Sequence, residues 1–219
     1  MKKTSNMKYA LTVLLASISL ITFGQSQEKA KTILDQVSSK TKAYPSIIAD
    51  FSFSLENLQE EISEVYDGSI ILKGNKYKVN LMDMDTYFDG EVQYTHMIDA
   101  DEVNITIPDM EDEETLNPAT IFTIYEEGYT YNYVSEGSVD GKACHEIDLY
   151  PINRDKPFSR IKLLVLKDNL QIYSIRQVGK DGNNYTVIVK NMKTNESVDD
   201  SKFVFDKTAN PNVDIIDMR

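Results

Sequence analysis

The chain is poor in the residues that build disulfides, metal sites and positive surfaces. It has one Cys (Cys144) in 219 residues, which excludes an internal disulfide and a Cys-based zinc site. It has two His, at 96 and 145, too few and too far apart for a His-rich metal cluster. There is no Trp. Only 23 Lys and Arg stand against 35 Asp and Glu, a net charge of −12, which argues against binding nucleic acid through a phosphate-neutralising surface. What is present is ordinary for a folded protein: 41% apolar and 26% charged residues, with 13 Tyr and 8 Phe. The length suffices to bury a core without covalent staples.

Only the first two dozen residues form a long apolar run. Lys2, Lys3 and Lys8 precede the uncharged stretch Ala10–Phe23, and Gly24 is followed by the polar Gln25–Ser26–Gln27. This is the layout of a cleavable secretory signal peptide over residues 1–24, and it implies an exported protein. The stretch is short for a membrane span of roughly 20 residues. Removing it takes three Lys and no acid, leaving a single domain, 25–219, with a net charge of −15 by count. Such a chain is repelled by anionic membrane surfaces.

Ala30, Ile33, Leu34, Val37, Thr41 and Tyr44 recur at steps of three and four, which predicts one amphipathic helix over Glu28–Ala43, ended by Pro45. The period then changes to two. Ala49, Phe51, Phe53 and Leu55 alternate with polar residues. Further strands are expected at Gly68–Lys73, Lys76–Leu81, Val92–Ile98, Val103–Ile107, Tyr129–Val134, Cys144–Tyr150, Ser159–Leu166, Gln171–Val178, Tyr185–Asn191 and Phe203–Phe205. Turn chemistry lies between them at Gly74–Asn75, Asp89–Gly90, Asp140–Gly141, Asp168–Asn169 and Asp181–Asn183. Asn117–Pro118 before Ala119–Glu127 and Gly128 predicts a second, short helix. The acidic run Asp109–Glu114 reads as a solvated loop. About eleven strands and two helices give a mainly β (α+β) fold: an incomplete antiparallel β-barrel, covered on its concave side by the N-terminal helix and a short lid helix.

No catalytic constellation emerges. Cys144 and His145 are neighbours on a strand, so their side chains leave on opposite faces and cannot pair as nucleophile and base. His96 is expected to be packed within its strand. The acidic runs lack the spacing and internal Gly of a calcium loop. No nucleophile elbow, phosphate loop or dinucleotide-binding glycine pattern occurs. Catalytic residues, metals and cofactors are therefore expected to be none, and the protein is not expected to be an enzyme. The abundance of Tyr, Phe, Ile and Met at alternating positions admits two readings. One is a packed core. The other is a wall left incompletely filled, a pocket suited to acyl chains.

Four segments resemble the LolA family of periplasmic lipoprotein carriers. They are the helix Ala30–Tyr44 leading into IIADFSFSL; Gly68–Val79 (GSIILKGNKYKV); Asp89–Ile105 (DGEVQYTHMIDADEVNI); and Ser201–Asp206 (SKFVFD) followed by Asn212–Asp217. The resemblance implies a carrier whose space between sheet and lid takes up lipoprotein acyl chains. An inner-membrane ABC transporter loads it and an outer-membrane receptor unloads it. The chain departs from the family where an Arg often latches the lid, which here reads Lys73–Gly74–Asn75, and Tyr94 stands in place of the usual Trp. A divergent carrier is therefore expected, binding acylated lipoprotein or lipid as a monomer. The alternative is a lipid- or protein-binding envelope sensor or adaptor. The cavity is expected to be lined by Phe51, Phe53, Leu55, Ile70, Leu72, Tyr77, Val79, Leu81, Tyr94, Ile105, Ile161, Leu163 and Val165. Ile33, Leu34, Val37, Ile121 and Phe122 are expected to form the lid.

Overall fold

A computed structural model of the protein describes residues 24–108, 122–123 and 125–219. One helix, α1, covers residues 24–42 and is followed by twelve strands. These are β1 (Ile47–Asn57), β2 (Ile62–Lys73), β3 (Lys76–Leu81), β4 (Met84–Phe88), β5 (Gln93–Met97), β6 (Glu102–Thr106), β7 (Tyr129–Val139), β8 (Lys142–Pro151), β9 (Phe158–Leu166), β10 (Ile172–Gly179), β11 (Asn184–Thr194) and β12 (Asp214–Asp217). All belong to one sheet in the order β12-β6-β5-β4-β3-β2-β1-β11-β10-β9-β8-β7, whose edges, β12 and β7, do not join. The sheet is antiparallel except that β12 runs parallel to β6. The expected incomplete barrel is thus an open sheet of twelve strands.

The apolar spacing of α1 does what an amphipathic stripe must do: Ala30, Ile33, Leu34 and Val37 are buried while their neighbours on the other side are exposed. The helix starts by residue 24, earlier than the expected Glu28. Nineteen residues at 1.5 Å make it about 28 Å long. That matches the width of the six strands from β7 to β1, about 24 Å at 4.8 Å per step. Its ends mark that path. Ser26 Oγ donates to the Tyr133 carbonyl of β7 (2.9 Å) and accepts from the Tyr133 amide (3.1 Å). Lys40 Nζ donates to the Asn169 carbonyl in the β9–β10 turn (2.6 Å), and the chain then enters β1.

Register fixes which side chains share the helix-covered, inner face. Ile47, Ala49, Phe51, Phe53 and Leu55 of β1 stand opposite Leu72, Ile70, Gly68, Tyr66 and Glu64 of β2. Leu72, Ile70 and Gly68 in turn stand opposite Tyr77, Val79 and Leu81 of β3. On the other flank Ile175 pairs with Leu163, and Leu163 with Ile147. Ile147, Leu149, Ile161, Leu163 and Val165 are wholly excluded from solvent and form one cluster with the α1 stripe.

Beyond β3 the apolar side changes face. Tyr77 pairs with Phe88, and Phe88 with Gln93. Parity therefore places Gln93, Thr95, Asn104 and Thr106 on the inner face, and Tyr94, His96, Val103 and Ile105 on the outer one. The outer group is sealed by the C-terminal segment, with Phe205 and Val213 packed on Val103, Tyr87, Tyr94, Ile105 and Ile215. The His96 ring stands edge-on to Phe205 at 5.2 Å.

Three expectations about elements change. Strand β4 and its two-residue turn, Met82–Asp83, had no turn signature. Strand β12 lies within Asn212–Asp217, where no strand is expected from the sequence. Phe203–Phe205 is not a strand: Asp199 accepts the Ser201 amide (2.9 Å) and starts a 3-10 turn over Asp200–Phe203. In the expected second helix, residues 122–123 and 125–128 are turns and bends, and residues 119–121 and 124 lie outside the described residues, as do Asp109–Glu114 and residues 1–23.

Candidate functional site

The inner wall is closed at one end and open at the other. Near the Gly74–Asn75 turn, Ile47, Leu72, Tyr77 and Phe88 are buried, together with Phe122 and Tyr125. Toward the far end of the same strands, Phe53, Leu55, Val79, Leu81, Val187 and Val189 are only half-buried. At the closed end, beside the Gly74–Asn75 turn, a cleft of about 260 Å³ is bounded by Thr41, Tyr44, Ile47, Leu72, Gly74 and Phe122. That lies just below the usual 300–1,000 Å³ of a ligand pocket, so a bound chain requires its walls to part.

The cavity residues expected from the sequence divide accordingly. Ile70, Leu72, Tyr77, Ile161, Leu163 and Val165 are buried on the inner face, Phe51 lies beside them, and Phe53, Leu55, Val79 and Leu81 are half-buried there. Tyr94 and Ile105 are corrected: they lie on the outer face under Phe205 and Val213 and line no part of this wall. Alternation shows that two faces differ, but where both faces are covered it does not show which is inward. Of the lid residues, Ile33, Leu34, Val37 and Phe122 are buried in the main cluster, and Ile121 lies outside the described residues. Buried contributors that the sequence reading passed over are Phe88, Ile147, Leu149 and Ile175. Phe88 belongs to the unrecognised strand, whereas Ile147 and Leu149 alternate on β8 and were within reach of the same argument.

The departure at Lys73 is resolved by its face. Leu72 points inward, so Lys73 points outward, where its Nζ donates to the Val198 carbonyl and to Asp200 Oδ1, each at 2.7 Å. Lys76 holds the other Asp200 oxygen at 2.7 Å. Lys73 therefore ties down the C-terminal segment and does not latch a lid. The helix is joined to the 122–126 segment by Glu126, which accepts from Lys42 Nζ (2.7 Å) and from Ser38 Oγ. Burial pushes the Glu126 carboxyl up, but Lys42 and Ser38 together outweigh it and hold its pKa below the ordinary range. The Tyr131 hydroxyl adds a bond to the Tyr125 carbonyl (2.9 Å). These polar ties are largely surface contacts, each typically worth about 0–1 kcal/mol, so the main cost of parting the helix from this segment is exposure of the buried Phe122 and Tyr125 side chains, about 1.5–3 kcal/mol each.

Two acid-sensitive clasps lie elsewhere, one on the cover and one on the C-terminal segment. Glu136 of β7 is held down to about 2 by Lys167 and by Lys29 of α1, and Asp200 to about 2 by Lys73 and Lys76. Both carboxyls ordinarily titrate near 4, so their contribution is complete at neutral pH and is lost as pH falls toward 2. The hydrogen-exchange protection of α1 and of residues 199–203, taken relative to the intrinsic amide rate at each pH, is expected to fall over that interval. Glu136→Gln should already give the fast α1 exchange at neutral pH, and an unchanged rate would contradict the assignment.

The Tyr77 hydroxyl, pushed up to about 12 by burial, donates to Gln93 Oε1 at 2.8 Å. The Tyr125 hydroxyl is buried with no hydrogen-bond partner among the described residues, and burial, then Glu126 and Asp35, raise its pKa. An unpaired buried hydroxyl costs about 1–3 kcal/mol. Tyr125→Phe is therefore expected to raise the Tm of the empty protein by several degrees in a calorimetric scan, and a fall would show that the hydroxyl has a partner.

Cys144 is buried, and His145, one residue on, accepts or donates at Nδ1 to the Tyr133 hydroxyl (3.1 Å). Among the described residues no three His, Cys, Asp or Glu are grouped to hold a metal ion, and no helix is long and apolar enough to cross a membrane.

An open antiparallel sheet with one helix laid across its inner face is the architecture of the LolA-like class of β proteins. The chain belongs to that family: residues 20–147 match the family model of the outer membrane lipoprotein carrier protein LolA. No protein of curated function matches it. Among solved structures, an uncharacterized conserved protein from Thermus thermophilus is 10% identical, with TM-score 0.56 over 86% of this chain and 99% of its own, and shares the fold. A DUF1329 family protein from Desulfovibrio piger (10% identity, TM-score 0.48, 82% and 97% covered) and a LolA superfamily protein from Nitrosomonas europaea (13%, 0.44, 80% and 97%) are more distant in shape.

Proposed function

We propose that the protein is a periplasmic carrier that binds the acyl chains of lipoproteins against the inner face of its sheet and ferries them toward the outer membrane. Family membership supports a lipid or lipoprotein ligand. The observation that most favours a carrier is the half-buried apolar wall of Phe53, Leu55, Val79, Leu81, Val187 and Val189, continuous with a buried core and bordered by a cover whose polar ties are surface ion pairs. Each CH₂ of an acyl chain buried there contributes about 0.8 kcal/mol, so a long chain offsets both the weak surface ties and the packing of Phe122 and Tyr125 that opening gives up. Tyr125 supplies a spare hydrogen-bond donor for an ester or amide of the cargo. Residues 1–24 act as the cleaved export signal, and 25–219 act as one carrier domain without cofactor or catalysis. An inner-membrane ABC transporter would load it and an outer-membrane receptor would unload it.

The test is uptake of a lipopeptide with fluorescent acyl chains by protein comprising residues 25–219. Stoichiometric binding is expected, with affinity reduced at least tenfold by Phe53→Ser at nearly unchanged Tm. No binding, or binding indifferent to Phe53, would remove this reading.

A further inference from the structure

The chain is not evenly acidic. Between Lys78 and Lys142 it contains sixteen Asp and Glu and no Lys or Arg. The fold gathers the described first part of this stretch into β4, β5 and β6, at one flank of the sheet. The two turns at one end of these strands lie side by side, with the Ile98 amide donating to the Asp83 carbonyl at 3.1 Å. They display Met82 (40% exposed), Met84 (39%) and Ile98 (42%). Met84 stands opposite both Leu81 and Met97, so the exposed group continues the apolar row of the inner wall. Asp83, Asp99 and Asp101 are exposed in the same two turns, and none of them forms an ion pair among the described residues. Lys78, the cation on the adjoining strand, is engaged with Asp85 (3.1 Å) and the Tyr87 ring on the outer face.

Met82 and Asp83 form the whole two-residue turn and both have positive φ, 52° and 56°. Such turns favour Asn-Gly, and Met is a poor choice for the left-handed region. The side chain at 82 is thus not explained by the needs of the hairpin. Met is unbranched and polarizable, suited to surfaces that adapt to a partner.

We propose that the β3–β4 and β5–β6 turns form a docking surface for a cationic amphipathic segment of a partner protein, with its apolar side on Met82, Met84 and Ile98 and its Lys or Arg side chains facing Asp83, Asp99 and Asp101. The charge pattern selects this occupant, because an anionic lipid surface is repelled and a second copy of the chain offers the same charge. The surface is independent of whether the neighbouring wall carries acyl chains.

The probe is a synthetic amphipathic helix of Leu and Lys, compared at 150 mM salt with a scrambled peptide of identical composition. The amphipathic peptide is expected to bind at least tenfold more tightly and to protect amides near 81–84 and 97–102 from hydrogen exchange. Met82→Ser/Met84→Ser/Ile98→Ser, which leaves the charge unchanged, is expected to remove that preference. Met82→Asn/Asp83→Gly should raise the Tm while weakening binding, which separates docking from folding. Equal binding of the two peptides, retention of the preference in the triple variant, binding to phosphatidylglycerol vesicles in place of peptide, or self-association abolished by the triple variant would each overturn the proposal.

Discussion

Leu163→Ala is expected to lower the unfolding free energy by about 2–5 kcal/mol, a large part of the 5–15 kcal/mol typical of a domain. Leu163 is fully buried in β9, and its cross-strand neighbours Ile147 and Ile175 are buried too. Truncation removes contacts on both flanks, and a sheet pinned by two ladders relaxes little into the gap. Urea titration of the purified protein measures the loss. A change below 1 kcal/mol would mean that this region is loosely filled, and the division of the inner face into a packed part and an open part would be wrong. Phe53→Ser provides the contrast, because its side chain is half-buried and its loss is expected to affect ligand far more than stability.

Gly68→Ala is expected to destabilise by about 1–3 kcal/mol although it adds a single methyl group. A Cβ at residue 68 would lie 2.6 Å from Phe51 Cζ and 2.8 Å from the Asn80 carbonyl oxygen. The first conflict could be relieved by turning the ring. The second is with backbone in the adjoining strand, so relief means spreading the β2–β3 ladder. Phe51 occupies the space above Gly68 that a side chain would fill, which is why a glycine sits in the middle of a strand. Thermal unfolding of Gly68→Ala beside Ser69→Ala, one residue along, separates the steric effect from a general loss. Equal Tm values for the two would show that the Phe51 ring is not lodged there.

Much of the architecture is legible in the sequence because single residues announce it. The α1 stripe and Pro45 define the helix and its end. Asp140–Gly141 marks its hairpin, and both residues indeed have positive φ. The β3–β4 hairpin is illegible for the converse reason, since Met82–Asp83 has the geometry of an Asn-Gly turn without its residues. Missing that hairpin hides β4, and with it the parity that carries Tyr94 and Ile105 to the other face. Strand β12 is illegible on different grounds. Its four residues acquire their meaning only by pairing with β6, more than a hundred positions earlier, and no local pattern encodes a parallel partner. The lid suffers both difficulties: Phe122 is identifiable as apolar, yet the join through Glu126 to Ser38 and Lys42 is a long-range polar contact.

The middle of the sheet is woven from distant parts of the polypeptide, with Ile47 beside Thr194 and Glu56 beside Asn184. A chain delivered from its N-terminus therefore cannot assemble its centre until nearly the last residue has arrived. Such non-local pairing makes folding slow. Until then the consecutive hairpins of β1 to β6 can form, but β1 stands as an unpaired edge whose greasy neighbours need protection.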